Sequence, residues 1–369
     1  MIYPEFLKEG DKIGVCAPSA PISEEKDKLR FEKGREKLLK KGHDVIFTEN
    51  VFTKGDYFGR STDALTKAAE FEELLSNNEV KAIISASGGD FLCEMLPFID
   101  SKKFKKNPKW VQGYSDNTAL LYYLTTKLDV ATMYGANFGD FGMENWQLSV
   151  KRNLDILEGK EKVEESFSKF QDGFSKRNTG FEGYDLKKKV NWKVIYGGEG
   201  AGDKKGKDCA ICGKKLNCGK VKGGRADFKG RLIGGCLDVI INLSGTKFDG
   251  TKDFVKKYKD DGIIWYLESF DLGFEPMMEA LWKMDVMGYF EGVKGFVFGR
   301  PLFYKTEDFS GEPLPKYEEV LLERLSKYNV PIILDADIGH KGPQFIMING
   351  AKARVESENG KGKVTYLDL

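Results

Sequence analysis

Short apolar runs alternate with charged, helix-permissive stretches along the first third of the chain, and few folds accommodate that alternation. Lys12–Ala17, Asp44–Phe47, Val80–Ser85 and Trp110–Gly113 read as strands. Ser23–Lys41 and Ser61–Leu75 read as helices, the first with Ser23 as its cap, and Phe91–Leu96 begins another. Ala64, Leu65, Ala68, Phe71 and Leu74 recur at helical spacing. Strands with no polar face are buried on both sides, so the pattern predicts an α/β fold with a mostly parallel sheet covered by helices. Periodicity weakens over Glu144–Tyr184, where the sequence turns charged and a connection between domains is expected. It returns in Arg231–Leu243, in the strand-like runs Gly262–Leu267, Gly295–Phe298 and Pro331–Leu334, and in the helical Pro276–Met287 and Tyr317–Tyr328. Gln344–Leu369 closes the chain as a β-rich segment.

A length of 369 residues allows two domains, and 41% hydrophobic content supplies a core. Lys and Arg number 58 against 57 Asp and Glu, a formal charge of +1 that gives no electrostatic reason for a nucleic-acid or membrane-surface partner. No basic segment followed by an apolar core stands at the start, so no signal peptide is expected. Six cysteines without an export signal suit a reducing, cytoplasmic setting.

Ligands of parallel sheets sit beyond the carboxyl ends of the strands. Ser87-Gly88-Gly89-Asp90 and Gly113-Tyr114-Ser115-Asp116 both fall at such ends. A serine at a sharp strand-to-helix turn projects its hydroxyl, and the helix-end N–H groups beside it stabilise a tetrahedral oxyanion. The competing reading makes Ser115 or Asp116 a helix cap, the commonest duty of these residue types. Asn117 also leaves the G-x-S-x-G pattern incomplete. Paired glycines let a substrate approach the backbone closely, and they also make ordinary turns.

A serine nucleophile needs a base, most often histidine, and the chain holds two. His43, in KKGHDVIF, reads as a helix-terminal or surface residue. His340, in the Gly-rich loop DIGHKGPQ, is the better base. Glu268 ends the apolar run Trp265-Tyr266-Leu267, where a charge is costly unless paired. It serves as the third member of a triad or as a strand-end carboxylate reaching solvent.

Cys209-x-x-Cys212 and Cys218 lie in a Gly- and Lys-rich stretch and resemble half of a zinc knuckle. A closed site needs four ligands, so free thiols are favoured and no metal is expected. A non-catalytic metal-binding module using this loop is the alternative function. A dinucleotide enzyme ranks last, because Ala17-Pro18-Ser19-Ala20-Pro21 follows the first strand in place of G-x-G-x-x-G.

Ser115, Glu268 and His340 stand in a set of motifs spanning nearly the whole chain: VCAPSAPI from Val15, SGGD from Ser87, GYSDNTAL from Gly113, GRLIGG from Gly230, YLES from Tyr266 and IGHKGPQ from Ile338. The set resembles the serine peptidase family S66 of L,D-carboxypeptidases and MccF-like microcin C immunity proteins. The resemblance implies a catalytic triad of Ser115, Glu268 and His340. It implies an oxyanion hole from Gly88 or Gly89 and the N–H of Asp116. An N-terminal α/β domain (1–145), a linker region (146–190) and a C-terminal β-rich α+β domain (191–369) follow from it. So do a cytoplasmic homodimer, no cofactor, and a small peptide or aminoacyl-nucleotide substrate. Three departures bear on that substrate. Asp90-Phe91-Leu92 follows the Gly-Gly turn, Tyr134-Gly135 stands where histidine is frequent, and a Cys-bearing insert occupies about Glu199–Asp227. Trp192 and Trp146 are candidates for stacking on a nucleobase.

Overall fold

The computed structural model describes residues 1–196 and 224–369; Cys209, Cys212 and Cys218 lie outside them. The first sheet runs in the order Met347–Asn349, Thr132–Tyr134, Trp110–Gly113, Val80–Ser85, Lys12–Cys16, Val45–Phe47. Its last five members are parallel, while Met347–Asn349 joins antiparallel. Helices Glu25–Leu39, Ala64–Ser76 and Thr118–Leu128 pack on it. Val80–Ser85 is buried at every position but Lys81, as a strand covered on both faces requires.

The helix starts differ from the sequence reading. Ser23 caps nothing: the first helix begins after Glu24. Ser61 instead donates its hydroxyl to the Ala17 carbonyl at 2.6 Å, and Asp63 caps the next helix through the Leu65 and Thr66 N–H groups. His43 is also not a surface residue. It is fully buried, with Nδ1 3.1 Å from the Asp11 carbonyl and Nε2 3.0 Å from Glu158.

The second sheet has Ala226–Cys236, Ile263–Glu268, Val293–Gly299 and Pro331–Ala336 as four parallel central strands. Antiparallel strands Lys352–Glu358, Lys361–Tyr366 and Val163–Glu165 flank one side, and Lys193–Tyr196 the other. Helices Leu237–Leu243, Thr251–Tyr258, Phe274–Val286 and Tyr317–Leu325 lie between the parallel strands in sequence. The result, among the described residues, is an α/β fold of two large sheets, with a separate two-stranded pairing of Lys169–Phe170 and Lys188–Lys189.

Two features lock the sheets together. The Cys236 N–H donates to the Thr118 hydroxyl at 3.1 Å, fastening the end of a second-sheet strand to the first turn of a first-sheet helix. The chain leaving Pro331–Ala336 then crosses through residues 337–346 to add Met347–Asn349 to the first sheet. His340 lies on that crossing. A continuous buried cluster includes Ile84 and Tyr134 of the first sheet with Leu267 and Phe298 of the second.

Candidate active site

Strand Trp110–Gly113 ends in an elbow. Ser115 holds φ at +64°, a left-handed conformation costly for a side chain with a Cβ, and a three-residue 3-10 turn carries it into helix Thr118–Leu128. The elbow is pinned from beneath. Asn117 donates its amide to the Tyr114 and Ser87 carbonyls, each at 2.9 Å, which ties the elbow to the Gly-Gly turn. Gly88 sits directly against the nucleophile: a Cβ there would lie 3.0 Å from Ser115 Cβ and 3.1 Å from its Oγ.

Ser115 Oγ is 3.0 Å from His340 Nε2, and His340 Nδ1 is 2.8 Å from Glu268 Oε2. Three residues far apart in sequence therefore form one unbroken hydrogen-bonded line. Glu268 is 1% exposed, so its carboxylate does not reach solvent. Gly339 makes the approach possible, since a Cβ there would meet Glu268 Oε2 at 2.5 Å. Burial raises the Glu268 carboxyl, but His340, through its charge and hydrogen bond, and the Tyr134 and Cys236 side chains together hold the group below its ordinary value. Burial likewise lowers His340, and Glu268 reverses this so that its pKa lies above the ordinary 6.5. Each partner stabilises the charged form of the other.

The Asp116 side chain has a separate task. Its carboxylate accepts from Ser19 Oγ at 2.5 Å and from the Leu92 N–H at 2.9 Å, joining the Ala17–Pro21 loop and the chain after Gly89 to the elbow. Burial pushes its pKa up. Gly89 carries φ of +153°, and a Cβ would strike Ser19 Oγ at 2.3 Å.

Sequence reasoning missed the walls. Two adjoining hollows open beside Tyr114 and share Arg30, Asp140 and Arg177; one of them reaches His340. Residues 171–184, in a stretch without periodicity, supply Gln171, Phe174, Arg177 and Tyr184 to that wall. Arg30 is buried and spends Nε and Nη1 on the Gly139, Gly180 and Glu182 carbonyls. Tyr184 donates to Asp140 at 2.7 Å. Burial raises the Asp140 carboxyl, while Tyr184 and the two arginines oppose it.

The two tryptophans lie elsewhere. Trp192 is buried and donates Nε1–H to Asp337 at 3.0 Å, so its ring is not free to stack on a ligand. Trp146 is half-buried and donates to the Phe141 carbonyl at 2.7 Å. Among the described residues, no cluster of three or more His, Cys, Asp or Glu has metal-holding geometry.

Comparison with known proteins agrees with this architecture. Models of the LD-carboxypeptidase N-terminal and C-terminal domains match residues 13–135 and 229–355. The Microcin C7 self-immunity protein MccF of Escherichia coli is 28% identical over 97% of this chain and 94% of its own. A putative carboxypeptidase of Vibrio cholerae is 25% identical over 97% and 96%. Structures of MccF, one with aspartyl sulfamoyl adenosine and one with glutamyl sulfamoyl guanosine, superpose with a TM-score of 0.74 at 25% identity, over 100% of this chain and 99% of theirs. The chain belongs to the LD-carboxypeptidase family of serine peptidases, S66, and is a hydrolase of peptide-like substrates.

Proposed function

We propose that Ser115, His340 and Glu268 form the catalytic triad of an amidase acting on aminoacyl or peptidyl nucleotides. The observation that carries this reading is the hydrogen-bonded line from Ser115 Oγ through His340 to Glu268. Ser115 Oγ attacks the acyl carbonyl while His340 Nε2 takes its proton. Glu268 accepts the Nδ1–H bond and stabilises the imidazolium. The N–H groups of Asp116 and of Gly88 or Gly89 receive the oxyanion. The imidazolium then protonates the departing nitrogen. Water, deprotonated by His340, releases the acyl group from Ser115.

An aromatic ladder favours the nucleotide reading. Phe270 packs 4.9 Å from the His340 ring, Phe303 lies 5.3 Å from Phe270, and Phe174 lies 6.4 Å from Phe303. Phe174 and Phe303 are 67% and 47% exposed, surfaces on which a base can stack for about 1–3 kcal/mol. MccF has been solved with aminoacyl sulfamoyl nucleosides, which supports the same substrate class. A second reading, release of a terminal D-amino acid from a murein peptide, is favoured by Arg177. Its side chain is 38% exposed, and its guanidinium pairs with Asp27 only at 3.5 Å and suits a terminal carboxylate. The resemblance further suggests a cytoplasmic homodimer; no helix among the described residues is long and apolar enough to cross a membrane.

The test is a hydrolysis panel with Ser115→Ala as control, one arm carrying aspartyl sulfamoyl adenosine and the other a murein tetrapeptide. Serine-dependent cleavage of the nucleoside conjugate is expected. Release of D-alanine alone would transfer the assignment to the second reading, and hydrolysis undiminished in Ser115→Ala would remove the triad.

A further inference from the structure

The triad acid has a second partner. Strand Thr132–Tyr134 pairs with Trp110–Gly113 so that Tyr134 sits opposite Gly113, immediately before the elbow. Tyr134 is completely buried, and its hydroxyl donates to Glu268 Oε1 at 2.5 Å. The same oxygen accepts the Ser115 N–H at 3.3 Å. One phenol thus touches both ends of the catalytic line: the nucleophile's backbone from the first sheet and the acid from the second.

We propose that Tyr134 is a positioning residue that fixes the Glu268 carboxylate and the Ser115 backbone relative to each other. The assignment rests on the triad reading above. Three consequences follow from the geometry. Glu268 cannot rotate about its carboxyl bond without losing Tyr134 or His340, since Oε1 and Oε2 are separately engaged. The phenol draws charge from the carboxylate, which tempers how strongly Glu268 holds a proton on His340. The Ser115 N–H already has a partner, which leaves the oxyanion to the Asp116 N–H and the Gly-Gly turn.

The surroundings leave few other candidates for this role. The titratable groups near the pair are Cys236 beside Glu268, Asp238 whose charge acts on His340, the phenols of Tyr114 and Tyr317, and, lining the hollow that reaches His340, Arg30, Asp140, Arg177, Glu182 and Tyr184. Burial raises the Cys236 thiol well above its ordinary value, and the charge of Glu268 adds to this.

With only two histidines in the chain, the ring nitrogens of ¹⁵N-histidine-labelled protein report His340 directly, without any substrate. Tyr134→Phe removes the donor to Glu268 and is expected to raise the His340 titration midpoint by about half a pH unit or more. It should also lower kcat about 10- to 100-fold, the size of one hydrogen bond to a charged group, with KM little changed. Tyr122→Phe is the control. That buried phenol bonds Thr251 at 2.6 Å away from the triad, so its loss moves the melting temperature and not the midpoint. Tyr134→Leu also lacks the donor, so it serves if Tyr134→Phe does not fold and should raise the His340 midpoint in the same direction. A His340 midpoint unmoved by both substitutions would overturn the proposal, even with stability lost. Failure of the triad itself would appear separately, as hydrolysis surviving in Ser115→Ala.

Discussion

The chain's two histidines are both buried, both bonded at both ring nitrogens, and both beside a glutamate, yet only one of them meets a hydroxyl. His43 lies between the Asp11 carbonyl and Glu158. Both partners are acceptors, a carbonyl and a carboxylate, so neither ring nitrogen meets a group with a proton to give. His340 lies between Glu268 and the Ser115 hydroxyl. There Nδ1–H donates to the carboxylate, which leaves the Nε2 lone pair facing a hydroxyl proton. Burial and a carboxylate do not make a catalytic base; the identity of the second partner does.

The sharpest break of this comparison is His340→Ala set against His43→Ala. Loss of His340 is expected to reduce serine-dependent turnover about 10⁴-fold or more, as removal of a triad member does. Next in size is Glu268→Gln, expected to cost about 10³- to 10⁴-fold in kcat by leaving the wrong tautomer on His340. A fall under about tenfold in either variant would separate the observed geometry from the chemistry.

The displacement of the His340 midpoint from its ordinary value should reverse between wild type and that glutamine variant. His340 must be neutral to act, and its pKa is raised above 6.5, so the acid limb of kcat/KM should have its midpoint above pH 6.5. With Glu268→Gln, burial is opposed only by the charge of Asp238, and the midpoint should fall below that value. The same pair enters stability with two limits. His340, raised, contributes stability that is complete below its unfolded pKa and lost as pH rises through the folded value. Glu268, lowered from 4.5, contributes stability present above its unfolded pKa and lost as pH falls through the folded one. Chemical denaturation across pH, in wild type and Glu268→Gln, measures both limbs.

The smallest effect on rate belongs to His43→Ala. Turnover should stay within about threefold, while stability drops by about 1–3 kcal/mol as a buried Glu158 oxygen loses its donor. A large loss of turnover at unchanged stability would contradict the structural role read for His43.

Much of the catalytic line was legible before any coordinates. A buried parallel strand leaves its mark as an unbroken apolar run, and a charge at the end of such a run, as at Glu268, signals a partner. The count of two histidines narrowed the base to a choice between two. The helix-terminal reading of His43 holds, its backbone N–H meeting the Leu38 carbonyl at 3.0 Å, but the surface reading fails because its burial depends on Glu158 and Asp11, neither of which is its neighbour in sequence. Tyr134 was visible only as a residue standing where histidine is frequent in the family the sequence resembles. Its meaning depends on two contacts, to Glu268 and to Ser115. The walls of the hollow escaped for a related reason: residues 171–184 have no periodicity, and Arg177 and Tyr184 face Asp140 only because the chain folds back over the first sheet.

By itself, then, the sequence determined the central strands and most helices between them, the serine elbow and the kinds of residue available for catalysis, because those follow from local burial patterns and chemical type; the short strands Thr132–Tyr134, Val163–Glu165 and Lys193–Tyr196 and the helix Thr251–Tyr258 left no such mark. Tertiary structure decided which histidine meets the serine, that Glu268 has two donors, and that Asp116 fastens loops with its side chain. Each depends on the passage of residues 337–346 between the sheets or on the contact of two strands' ends. Local sequence encodes conformation, whereas the distance between two side chains far apart in the chain is set by how all the intervening elements pack.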